Sequence, residues 1–236
     1  MNKNNYSIAV SIVVAAIVIA GAIVYVVGYK NSPSQNQNST STSTIPVSQP
    51  WTTDVVLGSS TAPVTLIEYG DYQCPYCAMF NSQIEPALKV SYVQTGKLKI
   101  IFRDIAFLGS ESEAAGQAAL CAADQNKFWP YHDLLYQSKL NDFNNKGSED
   151  DGFYNRKFFV GLAQQLNLNI TDFESCYDSG KYAQTVKNDT NLALQQGINS
   201  TPSIFINGEE LQPGLLPFSS YQQAIESALS SSTSSK

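Results

Sequence analysis

The feature that most constrains this 236-residue chain is Cys74-Pro75-Tyr76-Cys77, two thiols held two residues apart just after a strand-forming run. Val64-Thr65-Leu66-Ile67-Glu68-Tyr69 is rich in β-branched and apolar residues, which predicts a buried strand. Ala78 to Val93 carries apolar residues at helical spacing, so the cysteines fall where a strand runs into a helix N-terminus. There the unpaired N–H groups and the helix macrodipole favour negative charge, and Cys74 is expected to ionise below the free-thiol value of about 8.5. Pro75 suits the first turn, where its missing N–H has no partner to lose. Cys77, one turn further in and more enclosed, is placed to resolve a mixed disulfide formed at Cys74. Metal binding is the rival chemistry for such a pair. A closed zinc site needs four Cys/His ligands, whereas the chain has four cysteines and one histidine, with Cys121 and Cys176 standing singly. The expectation is thiol–disulfide exchange with no metal and no cofactor beyond the Cys74–Cys77 couple.

The N-terminus bears on the compartment. Ile8 to Val27 is a twenty-residue apolar run broken only by Ser11. At about 1.5 Å per residue it matches the thickness of a bilayer. Residues 8–29 are read as a transmembrane anchor, with 1–7 a short cytoplasmic N-terminus, since Lys3 and Lys30 flank the run with one positive charge each and the N-terminal amine adds to the Lys3 side. Ala20-Gly21-Ala22 resembles a signal-peptidase site, but the apolar run continues past it through Val27, which favours an uncleaved anchor. Residues 30–50 are rich in Ser, Thr, Gln, Asn and Pro and read as a flexible linker. Either way, the rest of the chain is expected on the extracytoplasmic side of the cell membrane, where disulfides persist. After position 50 lie all twenty acidic residues and twelve basic ones, a formal charge of −8, so no nucleic-acid partner is expected.

The remaining residues suffice for one core with an inserted subdomain. Lys97 to Arg103 reads as a second strand, parallel to the first across a helical crossover, and Pro86 predicts a kink near Gln83 to Glu85. From Glu111 to Gln196 apolar residues recur at helical spacing. Ser203 to Asn207 then reads as a strand ending in an Asn207-Gly208 hairpin turn, and Ser219 to Leu229 as a last helix. Since 125 positions separate Cys77 from Pro202, far more than a single crossover needs, a helical subdomain is inserted. The expected boundaries are 51–107 with 197–230 for the α/β domain, 108–196 for the helical insertion, 147–152 for an acidic loop within it, and 231–236 for a disordered tail.

Taken in order, Glu68 six positions before Cys74, the Cys-Pro-Tyr-Cys tetrapeptide, Phe128-Trp129 with Tyr131-His132-Asp133, Phe173-Glu174-Ser175-Cys176, and Gly197 to Pro202 followed by Phe205 to Gly208 resemble the DsbA-like thiol:disulfide oxidoreductases. The resemblance spans nearly all of Asp54 to Leu229. It implies a thioredoxin fold interrupted by a helical domain, introducing disulfides into exported proteins. It implies a cis Thr201-Pro202 bond beside the thiols, where a substrate strand pairs with the Thr201 backbone while Pro75 and Tyr76 border it. It implies that Glu68 is a buried acid that accepts the Cys77 proton during resolution; on the residues alone, a solvated strand edge and an ion pair with Lys99 or Arg103 stay open for Glu68. It also implies a structural disulfide between Cys121 and Cys176 in the insertion. The partners implied are reduced exported proteins and a DsbB-like or vitamin K epoxide reductase-like (VKOR-like) membrane oxidase.

His132 is expected to pack rather than to catalyse. Tyr76 stands where strongly oxidising members carry His, so the couple is expected to be a milder oxidant. An isomerase or reductase of the same fold, or a thioredoxin-fold peptide-binding module, is the alternative reading.

Overall fold

A computed structural model describes residue 51, residues 53–146 and residues 152–234. The expected anchor at 8–29, the linker at 30–50 and most of the acidic loop lie outside them. Among the described residues no helix is long and apolar enough to cross a membrane.

The chain opens with the short strand β1 (Val55–Leu57) and the fully buried β2 (Val64–Gly70). The helix α1 (Pro75–Gln83) follows, then α2 (Glu85–Leu88) and a π-turn (Lys89–Val93), before β3 (Leu98–Asp104). The break between α1 and α2 falls at Ile84, just ahead of Pro86, whose ring cannot donate to the ladder. β2 and β3 pair in parallel with Leu66 opposite Ile100 and Glu68 opposite Phe102, the register expected of a helical crossover. β1 adds antiparallel to β3, a strand the sequence reading did not anticipate because only three residues precede the turn at Gly58.

Five helices follow: α3 (Ser110–Ala123), α4 (Phe128–Lys146), α5 (Arg156–Gln165), α6 (Ile170–Asp178) and α7 (Ala183–Gln195). Asn155 and Asn169 cap α5 and α6 by accepting from the N–H groups of Phe158 and Asp172. The chain then returns to the sheet as β4 (Ser203–Ile206) and β5 (Glu209–Glu210), which turn at Asn207-Gly208, both residues in the left-handed region. Among the described residues the sheet order is β1-β3-β2-β4-β5, with β2 central.

The last helix, α8 (Phe218–Ser234), corrects the reading of 231–236 as a disordered tail, since it continues to Ser234. Serines in its last turns donate back to carbonyls four residues earlier, as Ser231 does to Ser227 and Ser232 to Ala228. These bonds satisfy hydroxyls that composition alone assigns to solvent.

One apolar cluster fills the space between sheet and helical insertion, including Tyr72, Cys77, Phe102, Tyr131, Leu135 and Tyr136. A second lies under α1 and α8 around Leu66, Phe80, Ile100 and Tyr221. Trp51, Tyr69 and Phe205 centre a third on the opposite face of the sheet. Helix α1 thus stands between two cores, which fixes its N-terminus.

Candidate active site

Cys74 is the N-cap of α1, extended at φ −74° and ψ 118°, and Pro75 begins the helix. Its carbonyl accepts from Ala78 N–H at 3.1 Å, while its own N–H donates to Asp71 at 3.0 Å. Cys74 is 5% exposed and Cys77 fully buried; both are free thiols. The two sulfurs behave differently. Hydrogen bonding from Cys77 is the largest influence bringing Cys74 down to about 7, against opposing burial, with the backbone N–H groups of Tyr76 and Cys77 adding to it. Burial pushes Cys77 well up, reinforced by Cys74 and Glu68. Sequence reasoning assigned the lowering to the helix terminus; the structure gives the neighbouring thiol the larger share.

The Thr201-Pro202 bond is cis, and it carries the Thr201 carbonyl to 3.4 Å from Cys74 Sγ. Tyr76 lies on the rim, 57% exposed, while Pro75 is buried in the first turn. The fold therefore brings Cys74, with Pro75 and Tyr76 beside it, against Thr201 and Pro202 although 127 positions separate Cys74 from Thr201, with Cys74, Pro75 and Pro202 buried and Tyr76 exposed.

Glu68 sits in the middle of β2 with no exposed surface, flanked by Phe102 on one neighbouring strand and Ile204 on the other. Neither carboxyl oxygen has a hydrogen-bond partner among the described residues. Burial raises its pKa well above the ordinary glutamate value, with the negative charges of Glu85 and Cys74 adding and Lys89 opposing. Neither suggested ion-pair partner is there. Arg103 grips Asp54 through Nε and Nη2 at 2.8 and 3.0 Å, donates to Tyr69, and stacks over Trp51. Lys99 reaches the Ser60 carbonyl. Arg103 thus holds the approach to β1 through Asp54, which lies outside any motif, and Lys99 holds the turn between β1 and β2.

The loop between β2 and Cys74 hangs on Asp71, which sequence reasoning missed. This buried carboxylate accepts from the N–H groups of Gln73, Phe107 and Leu108 and from the Ser112 hydroxyl. Burial lifts it to about 6 despite those donors. It ties the thiol loop to the start of α3, and the only sequence signal is an Asp directly after a strand and three residues before a Cys.

His132 is buried, its Nδ1 3.1 Å from the Tyr72 hydroxyl, among the rings of Phe102, Phe128 and Tyr136. Glu85, His132 and Asp133 lie close enough together to hold a cation. The Lys89 ammonium lies there, 2.7 Å from Glu85 and 3.2 Å from both oxygens of Asp133. In the insertion, Cys121 on α3 and Cys176 on α6 are joined as a disulfide, with Cα atoms 5.8 Å apart.

A thiol poised near neutrality and a buried second thiol one turn away, with a buried acid on the preceding strand, are groups of the kind that thiol–disulfide exchange requires. Comparison with known proteins agrees. A family model described as thioredoxin matches residues 51–227. A probable disulfide bond formation protein D of Bacillus anthracis is 26% identical over 235 residues, covering 97% of this chain and 99% of that protein. Disulfide bond formation protein D of Bacillus subtilis is 28% identical over 160 residues, covering 66% of this chain and 69% of its own. Among solved structures, oxidised BdbD from Bacillus subtilis superposes with a TM-score of 0.68 at 26% identity, covering 75% of this chain and 93% of that one. α-DsbA1 from Wolbachia pipientis gives 0.67 at 24% identity, covering 79% and 96%, a likeness of fold. The chain belongs to the thioredoxin family and, within it, to the DsbA-like thiol:disulfide oxidoreductases.

Proposed function

We propose that this protein is a membrane-anchored, extracytoplasmic oxidase that introduces disulfides into exported proteins through Cys74 and Cys77. The observation that carries the reading is the contrast between the two thiols: Cys74 caps the helix 3.4 Å from the Thr201 carbonyl with its pKa brought down to about 7, and Cys77 is fully buried with its pKa pushed up. A substrate thiolate attacks Sγ of oxidised Cys74, the Cys74–Cys77 bond breaks, and Cys77 leaves. Its raised pKa makes it take a proton at once, and Glu68, protonated by burial, is the donor. In the reverse direction Glu68 is the base that the sequence reading describes. A second substrate thiolate then attacks the substrate sulfur of the mixed disulfide and expels Cys74 as a thiolate, the better leaving group for its low pKa. Substrate has lost two electrons and the enzyme has gained them.

The substrate backbone pairs with Thr201 beside Pro202, and Tyr76 and Pro75 form the border against which it lies. Cys121–Cys176 braces the insertion and takes no part in turnover. Residues 8–29 hold the enzyme at the cell membrane beside a DsbB-like or VKOR-like oxidase that removes the two electrons. The apolar run in the sequence supports that anchor. Reduced and scrambled ribonuclease distinguish the directions of flow. Rapid oxidation of the reduced form with little unscrambling supports an oxidase, and the opposite preference assigns the protein to the isomerases.

A further inference from the structure

Glu68 and Gly70 stand two residues apart on β2, so both positions face the same side of the sheet. Gly70 is not at a positive φ, so space rather than backbone conformation demands glycine here. A Cβ on Gly70 would lie 2.6 Å from Cε2 of Phe102, 2.7 Å from Oη of Tyr136 and 3.2 Å from Oε1 of Glu68. The bare backbone admits the Tyr136 phenol from α4 and brings its hydroxyl and the Glu68 carboxyl over one residue.

Both groups are buried, and neither the Tyr136 hydroxyl nor either oxygen of Glu68 has a hydrogen-bond partner among the described residues. Buried polar groups are rarely left unpaired, and these two border the same bare face of Gly70, where rotation of one side chain can bring them together. The ring is held by its neighbours, with centroids 5.0 Å from Tyr72, 4.9 Å from His132 and 6.0 Å from Phe102. Movement therefore belongs to the carboxyl.

We propose that Tyr136, supplied by the helical insertion, is a positioning residue whose hydroxyl is the hydrogen-bond partner of Glu68 while Glu68 exchanges a proton with Cys77. The inference rests on the disulfide-exchange reading above and adds a group to it. A phenol both donates and accepts. It accepts from the carboxylic acid before transfer and donates to the carboxylate afterwards, keeping its own proton throughout, so Cys77 gains the single proton that Glu68 gives up. Burial holds the Tyr136 hydroxyl protonated across the working range. The other titratable groups acting on or with Glu68 are Cys74 and Cys77 on the active helix, Glu85 and Lys89 behind it, Tyr72 before it and Tyr221 on α8.

The test is the titration of the Glu68 carboxyl, followed by carbon-13 NMR in the full chain with Cys74 and Cys77 oxidised. Tyr136→Phe removes the hydroxyl and keeps the ring with its packing against Tyr72, His132 and Phe102, so the variant is expected to fold. Loss of a hydrogen bond to a charged group is expected to move the Glu68 midpoint up by about one pH unit and to slow reduction of the enzyme by glutathione about tenfold. In a Glu68→Gln background the same substitution is expected to have no further effect. In the unsubstituted protein the Tyr136 ring carbon bearing the hydroxyl is expected to follow the Glu68 titration. An unmoved Glu68 midpoint, an unresponsive Tyr136 carbon, or equal slowing in the Glu68→Gln background overturns the proposal. Glu68→Gln alone, if it leaves the exchange rate unchanged, overturns instead the assignment of Glu68 as proton donor.

Discussion

Glu68→Gln is expected to stabilise the fold, by an amount that grows with pH. In the native protein the carboxyl is wholly enclosed and no cation pairs with it among the described residues, so its pKa lies well above that of the unfolded chain, first through desolvation. The folded state then holds a proton that the unfolded state releases once the pH exceeds the ordinary glutamate value of about 4.3. For an acid displaced upward, stability is fully present below that value and is lost as pH rises, at about 1.4 kcal/mol per pH unit, until the buried carboxyl itself ionises. Glutamine matches the protonated acid in shape and does not titrate. The variant and the unsubstituted protein should therefore be close in stability near pH 4, and at pH 6 the variant should lead by about 2 kcal/mol. That is a large share of the roughly 5–15 kcal/mol that holds a typical domain together. Urea unfolding of both proteins across this range, with Cys74 and Cys77 oxidised, measures it; desolvation persists in that form. A difference that is flat with pH, or a glutamine variant less stable above pH 6, would mean that Glu68 is charged and paired in the fold, and the proton-donor role would go with it.

Three further outcomes follow from the site and the insertion. Cys74→Ser should abolish exchange, whereas Cys77→Ser should accumulate mixed disulfides with substrate that a non-reducing gel resolves. The thiolate absorbance of the reduced protein should rise in one step centred near pH 7 from Cys74, with no second step from Cys77 until far higher pH. Replacing Cys121 and Cys176 together by Ser opens a 55-residue loop and should cost about 4 kcal/mol on the chain-entropy model, read by urea unfolding, while Cys74 keeps its reactivity.

The strand-to-helix junction was legible because the chemistry there is local: a β-branched run, a Pro that fits the first turn and two cysteines at fixed spacing. The break at Ile84 was equally legible, since Pro86 acts within one turn of itself. Tertiary partners were not. Arg103 pairs with Asp54, 49 positions away, although Glu68 lies on the neighbouring strand; Glu68 stands opposite Phe102 and Arg103 opposite Tyr69, so the two point to opposite faces of the sheet, and nothing in the sequence ranks those carboxylates. Asp71 and Tyr136 escaped for the same reason: their roles come from what the helical insertion lays against β2, and one-dimensional spacing carries no record of that. The end of α8 was misread because serines that favour loops by composition instead bond to their own helix.

The account turns on Cys74 and Cys77 forming a reversible couple whose reduced state is favoured by the low pKa of Cys74. Equilibration of the protein with glutathione buffers, with the two redox states counted by thiol alkylation, measures that directly. The predicted potential lies between the roughly −270 mV of thioredoxin and the roughly −120 mV of DsbA. A value at or below that of thioredoxin, or no Cys74–Cys77 disulfide at any glutathione ratio, would contradict it.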